Sequence, residues 1–338
     1  MPFTIVRNDI THMQVDAVVN TANPQPMVGQ GVDAAIHAAA GAQLFKARQA
    51  IGAIAPGSCA ITPGFALPAR HVIHTVGPAW QDGNHGEEAL LRRCYTGALQ
   101  LAAQHKCTSV AFPLISSGTY GFPKALALQT AVSAISAFLL EQEMEVYLVV
   151  FDRQAFQLSG QLFSDVASYI DEHYALLHRS KETSAARRRR AAMQATQDAC
   201  CAPAPAPNFA PSFDELWDPE DFNFETDAGF SETLLNLIDQ SGEKDSAIYK
   251  RANISRQHFS KIRSDPQYRP TKSTVLAFAI ALRLDLAQTR DLLERAGYAL
   301  SRSSMTDMIV RCFIERHHYN INDINLTLFK YEQPQLGN

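Results

Sequence analysis

Asp33 and His37 stand four residues apart in the stretch 32–40, a run of strong helix formers, so both side chains share one helical face. The segment before it, Asn20-Thr21-Ala22-Asn23-Pro24-Gln25-Pro26-Met27-Val28-Gly29-Gln30-Gly31, carries two prolines and two glycines. Those residues break regular structure and let backbone approach a ligand closely. A helix N-terminus fed by such a loop offers free N–H groups to an anion such as phosphate. The plainer reading of the same spacing is a strand-to-helix turn with a capping aspartate.

A second loop has matching chemistry. Ser116-Ser117-Gly118-Thr119-Tyr120-Gly121 follows an apolar run ending at Pro113 and precedes a helix beginning near Pro123. Small hydroxyl residues and glycines leave its N–H groups unobstructed, while Tyr120 and Phe122 add aromatic surface for a sugar or base. Two such loops in one domain point to a diphosphate-containing nucleotide. Neither is a Walker loop, since no Gly-Lys-Ser/Thr follows, and neither matches G-x-G-x-x-G. Transfer of the ligand's phosphoryl group is therefore not expected.

The elements that must carry these loops alternate. Strands are expected at 3–7, 15–19, 58–62, 71–76, 109–113 and 146–151, several almost entirely apolar, as in a sheet covered on both faces. Helices are expected at 33–40, 86–105, 123–142 and 152–174. This alternation specifies a three-layer α/β/α domain with a mixed sheet, whose ligands sit in loops beyond the C-terminal strand ends. His71 and His74, three apart in a strand, point to opposite faces and have no carboxylate or cysteine partner, so no metal is expected there.

At 338 residues the chain suits two domains, and its 46% hydrophobic content is enough for two cores. No run approaches the ~20 apolar residues of a membrane span, so no membrane partner is expected. The N-terminus lacks the basic and apolar regions of a secretory signal. Cys59, Cys94, Cys107, Cys200, Cys201 and Cys312 show no paired spacing for zinc or disulfides. A reducing, cytoplasmic setting is the expectation.

Five ordered segments resemble the macrodomain family. They are Asn20-Thr21-Ala22-Asn23 with the following Gly29–His37 run; Arg7-Asn8-Asp9-Ile10-Thr11; the stretch 61–68; Val72-Ile73-His74-Thr75-Val76-Gly77-Pro78; and the loop 116–123. The resemblance covers about residues 1–176. It implies an ADP-ribose ligand and no required cofactor. On matching positions, Asp9 and the Ile10 backbone would hold adenine, and Asn23 would contact the distal ribose, with Asn20 supporting the loop. Gly29, Gly31 and Val32, together with Ser116, Ser117, Gly118, Thr119 and Gly121, would hold the diphosphate. Tyr120 would pack near the distal ribose, and Phe151 or Phe156 would cover the adenine. In MacroD-type members the aspartate matching Asp33 is implicated in removing ADP-ribose from acidic side chains, supported by the histidine matching His37. Asp33, His37 and Asn23 are thus the expected catalytic set, acting on mono-ADP-ribosylated proteins or an ADP-ribose ester metabolite. The alternative is a non-catalytic ADP-ribose reader. Val28-Gly29-Gln30-Gly31 departs from the four consecutive glycines of many hydrolases, and Val28 and Gln30 enter positive φ less cheaply than glycine.

The composition then changes. The chain is expected to divide into a macrodomain at 1–178, a linker at 179–229 and a separate all-α domain at 230–338. The linker holds Arg187-Arg188-Arg189-Arg190, a Pro/Ala run and an acidic segment rich in aromatics. Residues 230–338 carry 15 Lys/Arg against 12 Asp/Glu and show helical periodicity, with a capping-box start at Asp285. Within them 245–263 resembles a phage-repressor-type helix-turn-helix, with Ser255 capping a second helix that exposes Arg256, Gln257 and Lys261. Those side chains suit DNA base edges; a protein-docking bundle is the rival.

Overall fold

Val18, Val19, Val110, Ala111 and Phe112 are buried on both faces of one six-stranded sheet, as their continuous apolar runs require. The computed structural model describes residues 2–150, 166, 169 and 228–337. The strands are β1 (Phe3–Val6), β2 (Ala17–Thr21), β3 (Cys59–Pro63), β4 (His71–Thr75), β5 (Ser109–Pro113) and β6 (Glu145–Val149), in the order β1-β6-β5-β2-β4-β3. All pairs are parallel except β3 with β4, so the sheet is mixed.

Alternation along the strands divides two cores. Ala17, Val19, Ile73, Val110, Phe112 and Leu148 face α3 (Glu87–Gln104) and α4 (Lys124–Glu141). Val18, Val72, Ala111 and Val149 face α1 (Val32–Ala40) and its successor α2 (Ala42–Ile51). The three-layer expectation holds. Helix α4 is long and apolar enough to cross a membrane by length and composition alone, with a mean hydropathy of 1.2. Its Ala127, Leu128, Ala131, Val132, Ala134, Ile135 and Leu139 are part of the sheet's core, which accounts for that composition.

The second region is helical: α5 (Phe230–Ser241), α6 (Asp245–Arg251), α7 (Arg256–Ser264), α8 (Lys272–Ala281), α9 (Leu286–Arg295), α10 (Met305–Glu315) and α11 (Ile321–Lys330). Helix α8 is buried at every position from Thr274 to Ala281 and is the centre the others pack around. The expected capping box closes α9: Asp285 accepts from the Gln288 N–H while the Gln288 side chain accepts from the Asp285 N–H.

The two regions belong to one compact unit. Leu326 and Phe329 of α11 join the core beneath α3 and α4. The open edge of β1 is covered by two side-chain amides, Asn253 on Phe3 and Gln335 on Ile5. Arg7 pairs with Glu332 at 3.5 Å and lies over the Phe329 ring. The arginine run, the Pro/Ala and acidic segments, Phe151 and Phe156 lie outside the described residues. Of the helix expected at 152–174, only Val166 and Tyr169 are described, both helical.

Candidate functional site

The first loop leaves the C-terminal end of β2, and its glycines serve two distinct needs. Gly31 opens α1 at φ 61°, ψ −124°, a conformation that side chains resist. Gly29 has no positive φ but passes so close to its neighbours that a Cβ would stand 2.8 Å from Asn23 Nδ2. Val28 and Gln30 are not among the described residues with positive φ. Their departure from a glycine run therefore imposes no backbone strain, contrary to expectation; Val28 points to solvent, 45% exposed.

Asp33, on the first turn of α1, is 2% exposed and lies in the wall of the cleft. Its Oδ2 accepts the Gly29 N–H at 2.5 Å, and its Oδ1 accepts from Asn20 Nδ2 at 2.6 Å. Asn20 is fully buried, is not among the residues that line the cleft, and supports Asp33 from behind. His37 follows one turn on, with Nε2 3.6 Å from Asp33 Oδ1, and lies behind the cleft wall. Burial lowers the His37 pKa, Asp33 opposes the shift and Arg48 adds to it. His37 Nδ1 is buried without a hydrogen-bond partner among the described residues.

Asn23 does line the cleft, its Nδ2 donating to Met27 O at 3.1 Å. Tyr120 reaches across from the second loop, its hydroxyl 3.5 Å from Asn23 Oδ1. Behind them is a residue that sequence reasoning missed. Arg48 of α2 is 3% exposed, and its guanidinium donates to the carbonyls of Asn23 at 3.0 Å and Pro24 at 3.3 Å, and also to Gly52 O. The first loop is therefore fastened to α2 by a buried cation. A lone arginine four residues before a glycine was the available signal.

The second loop turns sharply. Ser116 adopts φ 61°, and its buried hydroxyl has no partner among the described residues. It sits where a Cβ on Gly77 would come within 2.1 Å of Ser116 Oγ, so Gly77 makes room for the turn. Ser117 Oγ donates to Leu114 O, Gly121 N–H to Gly118 O, and Phe122 N–H to Ser116 O. Phe122 is 2% exposed and packs edge-on against Trp80 at 4.7 Å, so it belongs to the core and offers no surface to a ligand.

Between the loops lies a cleft of about 510 Å³. Asn23, Gly29, Gly31, Val32 and Asp33 form one wall, and Ser116, Ser117, Gly118, Thr119 and Tyr120 the other; Gly121 is not part of it. Val149 and Val150 also line it. Asp9 and Ile10 stand apart from this wall. Asp9 caps the 3-10 turn Ile10–His12 by accepting from Thr11 N at 2.9 Å and Thr11 Oγ1 at 2.7 Å, and these bonds hold its carboxyl below the usual carboxylate range. Ile10 packs in the core beside Val18.

Among the described residues no three His, Cys, Asp or Glu side chains are grouped to hold a metal. His74 and His71 diverge as the strand spacing requires: His74 is buried beside Asn20, and His71 lies against His105 at 5.7 Å. The cleft is thus walled by two loops rich in glycine and hydroxyl residues, with a carboxylate fixed by two hydrogen bonds in one wall.

Residues 19–131 match the model of the Macro domain. The O-acetyl-ADP-ribose deacetylase of Enterobacter sp. (strain 638) is 47% identical over 164 residues, which is 47% of this chain and 91% of that protein. The O-acetyl-ADP-ribose deacetylase of Escherichia coli (strain K12) is 43% identical over 166 residues, 47% of this chain and 94% of that protein. A solved Oceanobacillus iheyensis macrodomain with ADP aligns at a TM-score of 0.44 and 41% identity, covering 45% of this chain and 84% of that one.

Proposed function

We propose, from the premise that this chain belongs to the macro domain family, that its cleft binds ADP-ribose and that Asp33 drives hydrolysis of an ester on the distal ribose. The observation that carries the reading is the Asp33 carboxylate, held on both oxygens at the cleft wall between two loops rich in N–H groups. The loops take the diphosphate, as helix N-termini and glycine-containing turns do. Asn23 and Tyr120 face the distal ribose. A water between Asp33 and the ester carbonyl gives its proton to the Asp33 carboxylate as it attacks. The acyl–oxygen bond breaks, the ribose oxygen takes that proton from Asp33 and leaves as a hydroxyl, and the acyl group departs as a carboxylic acid.

Two relatives named O-acetyl-ADP-ribose deacetylase, at 43% and 47% identity, support an ester substrate. The same chemistry applies to mono-ADP-ribose esterified to an acidic side chain of a protein. The test is release of acetate from O-acetyl-ADP-ribose, and of ADP-ribose from a glutamate-modified acceptor, by wild type and by Asp33→Ala. Release that depends on Asp33 supports the hydrolase. Tight ADP-ribose binding with no release by either protein leaves a reader.

A second reading concerns the helical region. Helix α7 begins with exposed Arg256 and Gln257, has Lys261 on its outer surface, and has no acidic residue in its first turn. Cations at a helix N-terminus oppose the helix dipole, so their placement favours an anionic partner, and the succession of α6 and α7 supports the helix-turn-helix resemblance of the sequence. DNA contact through α7 is the corresponding reading. Binding of the full chain to duplex DNA that weakens steeply between two salt concentrations supports it; salt-independent or absent binding leaves a protein partner.

A further inference from the structure

Asp33 is the outer end of a hydrogen-bonded chain that runs inward through three strands. Asn20 on β2 and His74 on β4 are register partners, and Thr62 on β3 pairs with Val72, so their side chains share the face that α1 and α2 cover. Asn20 Nδ2 lies 2.6 Å from Asp33 Oδ1 and 3.2 Å from His74 Nδ1. His74 Nε2 lies 3.0 Å from Thr62 Oγ1, and Thr62 Oγ1 donates to the Val72 carbonyl at 3.5 Å.

The direction of the bonds follows from the Asp33 end. A carboxylate only accepts, so the Asn20 atom 2.6 Å from it is the amide nitrogen, and the ring nitrogen that this donor also faces must accept; the His74 proton is then on Nε2, where Thr62 Oγ1 accepts it. His74 is thereby the neutral Nε2–H tautomer, whose bare Nδ1 accepts from the Asn20 amide. The amide nitrogen has two protons, one for His74 and one for Asp33. The Asn20 carbonyl oxygen is left buried with no partner among the described residues. A flipped amide would instead set that oxygen against a carboxylate oxygen and a bare ring nitrogen, so the nitrogen faces them both. An orphaned buried oxygen is a destabilising feature, and here it accompanies an amide whose donors are both committed to orienting Asp33.

We infer that His74 and Thr62 are positioning residues for the hydrolysis, acting through Asn20 to aim the Asp33 carboxylate; this rests on the hydrolase reading above. The aim has two anchors. Oδ1 is tied through the chain to the rigid centre of the sheet, and Oδ2 to the Gly29 N–H of the binding loop. The carboxylate cannot turn about its own axis without losing one of them. Replacing Thr62 removes the acceptor for His74 Nε2–H, frees the ring to change tautomer, and turns an N–H toward the Asn20 amide. That displaces Asn20 and with it Asp33, with no residue of the cleft wall altered.

The test compares Thr62→Val, which keeps the shape and removes the hydroxyl, with Thr62→Ser, which keeps the hydroxyl. Acetate release from O-acetyl-ADP-ribose gives kcat and KM, calorimetry gives ADP-ribose affinity, and side-chain nitrogen NMR reads the His74 tautomer. Thr62→Val should lower kcat roughly tenfold or more, as misaimed catalytic groups do. Its ADP-ribose affinity should stay within about twofold, since none of the groups that hold the ligand has moved far. Thr62→Ser should restore kcat, and only wild type and Thr62→Ser should show the Nε2–H tautomer. An active wild type with kcat unchanged in Thr62→Val overturns the inference, as does an Nδ1–H tautomer in wild type. A wild type that binds ADP-ribose but releases no acetate or protein-linked ADP-ribose overturns the hydrolase reading itself.

Discussion

Asn253 pairs its side-chain amide with both backbone groups of Phe3: Oδ1 accepts the Phe3 N–H at 2.7 Å, and Nδ2 donates to the Phe3 carbonyl at 3.1 Å. Gln335 does the same for Ile5, at 3.1 Å and 2.7 Å. Residues 3 and 5 turn their backbone groups to the same edge of β1, so two side chains stand in for a neighbouring strand. Deleting either amide strands a backbone donor and acceptor, at about 1–3 kcal/mol for each buried group left unpaired. Asn253 also holds a turn at φ 58°, so Asn253→Gly removes the amide without adding strain. Asn253→Gly and Gln335→Ala should each lower the urea midpoint; two unchanged midpoints would show that the edge is held by other contacts.

The same edge predicts what truncation does. A chain ending at 228 loses both amides together with Leu326 and Phe329, and leaves an unpaired apolar edge strand, a template for self-association. Light scattering should find this fragment larger than a monomer at concentrations where the full chain keeps a single size. A monodisperse fragment of native thermal stability would refute the dependence.

The glycine loop gives an asymmetric prediction. Gly29→Ala sets a methyl 2.8 Å from Asn23 Nδ2 and 3.2 Å from Asp33 Oδ2, so it should sharply reduce ester release. Gln30→Gly and Val28→Gly, at positions of ordinary φ, should destabilise by up to about 1 kcal/mol through chain entropy and should not raise release. A gain in kcat for Gln30→Gly would show that the amide side chain obstructs the cleft.

Burial, with the Arg48 and His37 charges adding to it, pushes His74 from 6.5 down to about 3. Between these values the unfolded chain binds a proton that the folded chain refuses, so stability falls as pH drops through that window, by up to about 1.4 kcal/mol per pH unit. From pH 7 to pH 5 the wild type should lose up to about 2 kcal/mol more than His74→Gln does, with His37 contributing in the same direction in both. Parallel stability–pH curves for the two proteins would mean that His74 titrates normally.

Arg48→Met keeps an apolar stem and removes the donors to Asn23, Pro24 and Gly52. The first loop should then shift, and ADP-ribose affinity should fall by roughly tenfold, about 1.4 kcal/mol. Calorimetric titration with ADP-ribose decides it. Unchanged affinity would reduce Arg48 to a packing residue.

What the sequence made legible was whatever rests on local chemistry. The bounds of β5 follow directly from Ser109 and Pro113, and the two loops are marked by Gly31 and Ser116. Asp33 is marked by its place on the first helical turn. Helix α2 was not foreseen, because Gly41 reads as the end of α1 and serves also as the N-cap of α2. With α2, Arg48 was lost from view. The role of Asn20 was only half legible, since its partner His74 lies on another strand, 54 residues away in sequence. The covering of β1 was not legible at all: Asn253 reads as a turn residue and Gln335 as part of a polar tail, and neither carries a motif.

Because Phe3 and Ile5 offer only main-chain atoms to Asn253 and Gln335 while their side chains face the core, any apolar pair at 3 and 5 preserves the contact. Inheritance therefore constrains one partner alone. Descendants that keep the helical region should retain an amide at 253 and 335 while 3 and 5 drift among hydrophobic types. Statistical covariation would then be silent about this junction between β1 and the helical region. An alignment of such descendants in which 253 and 335 vary freely would remove the amides from that role.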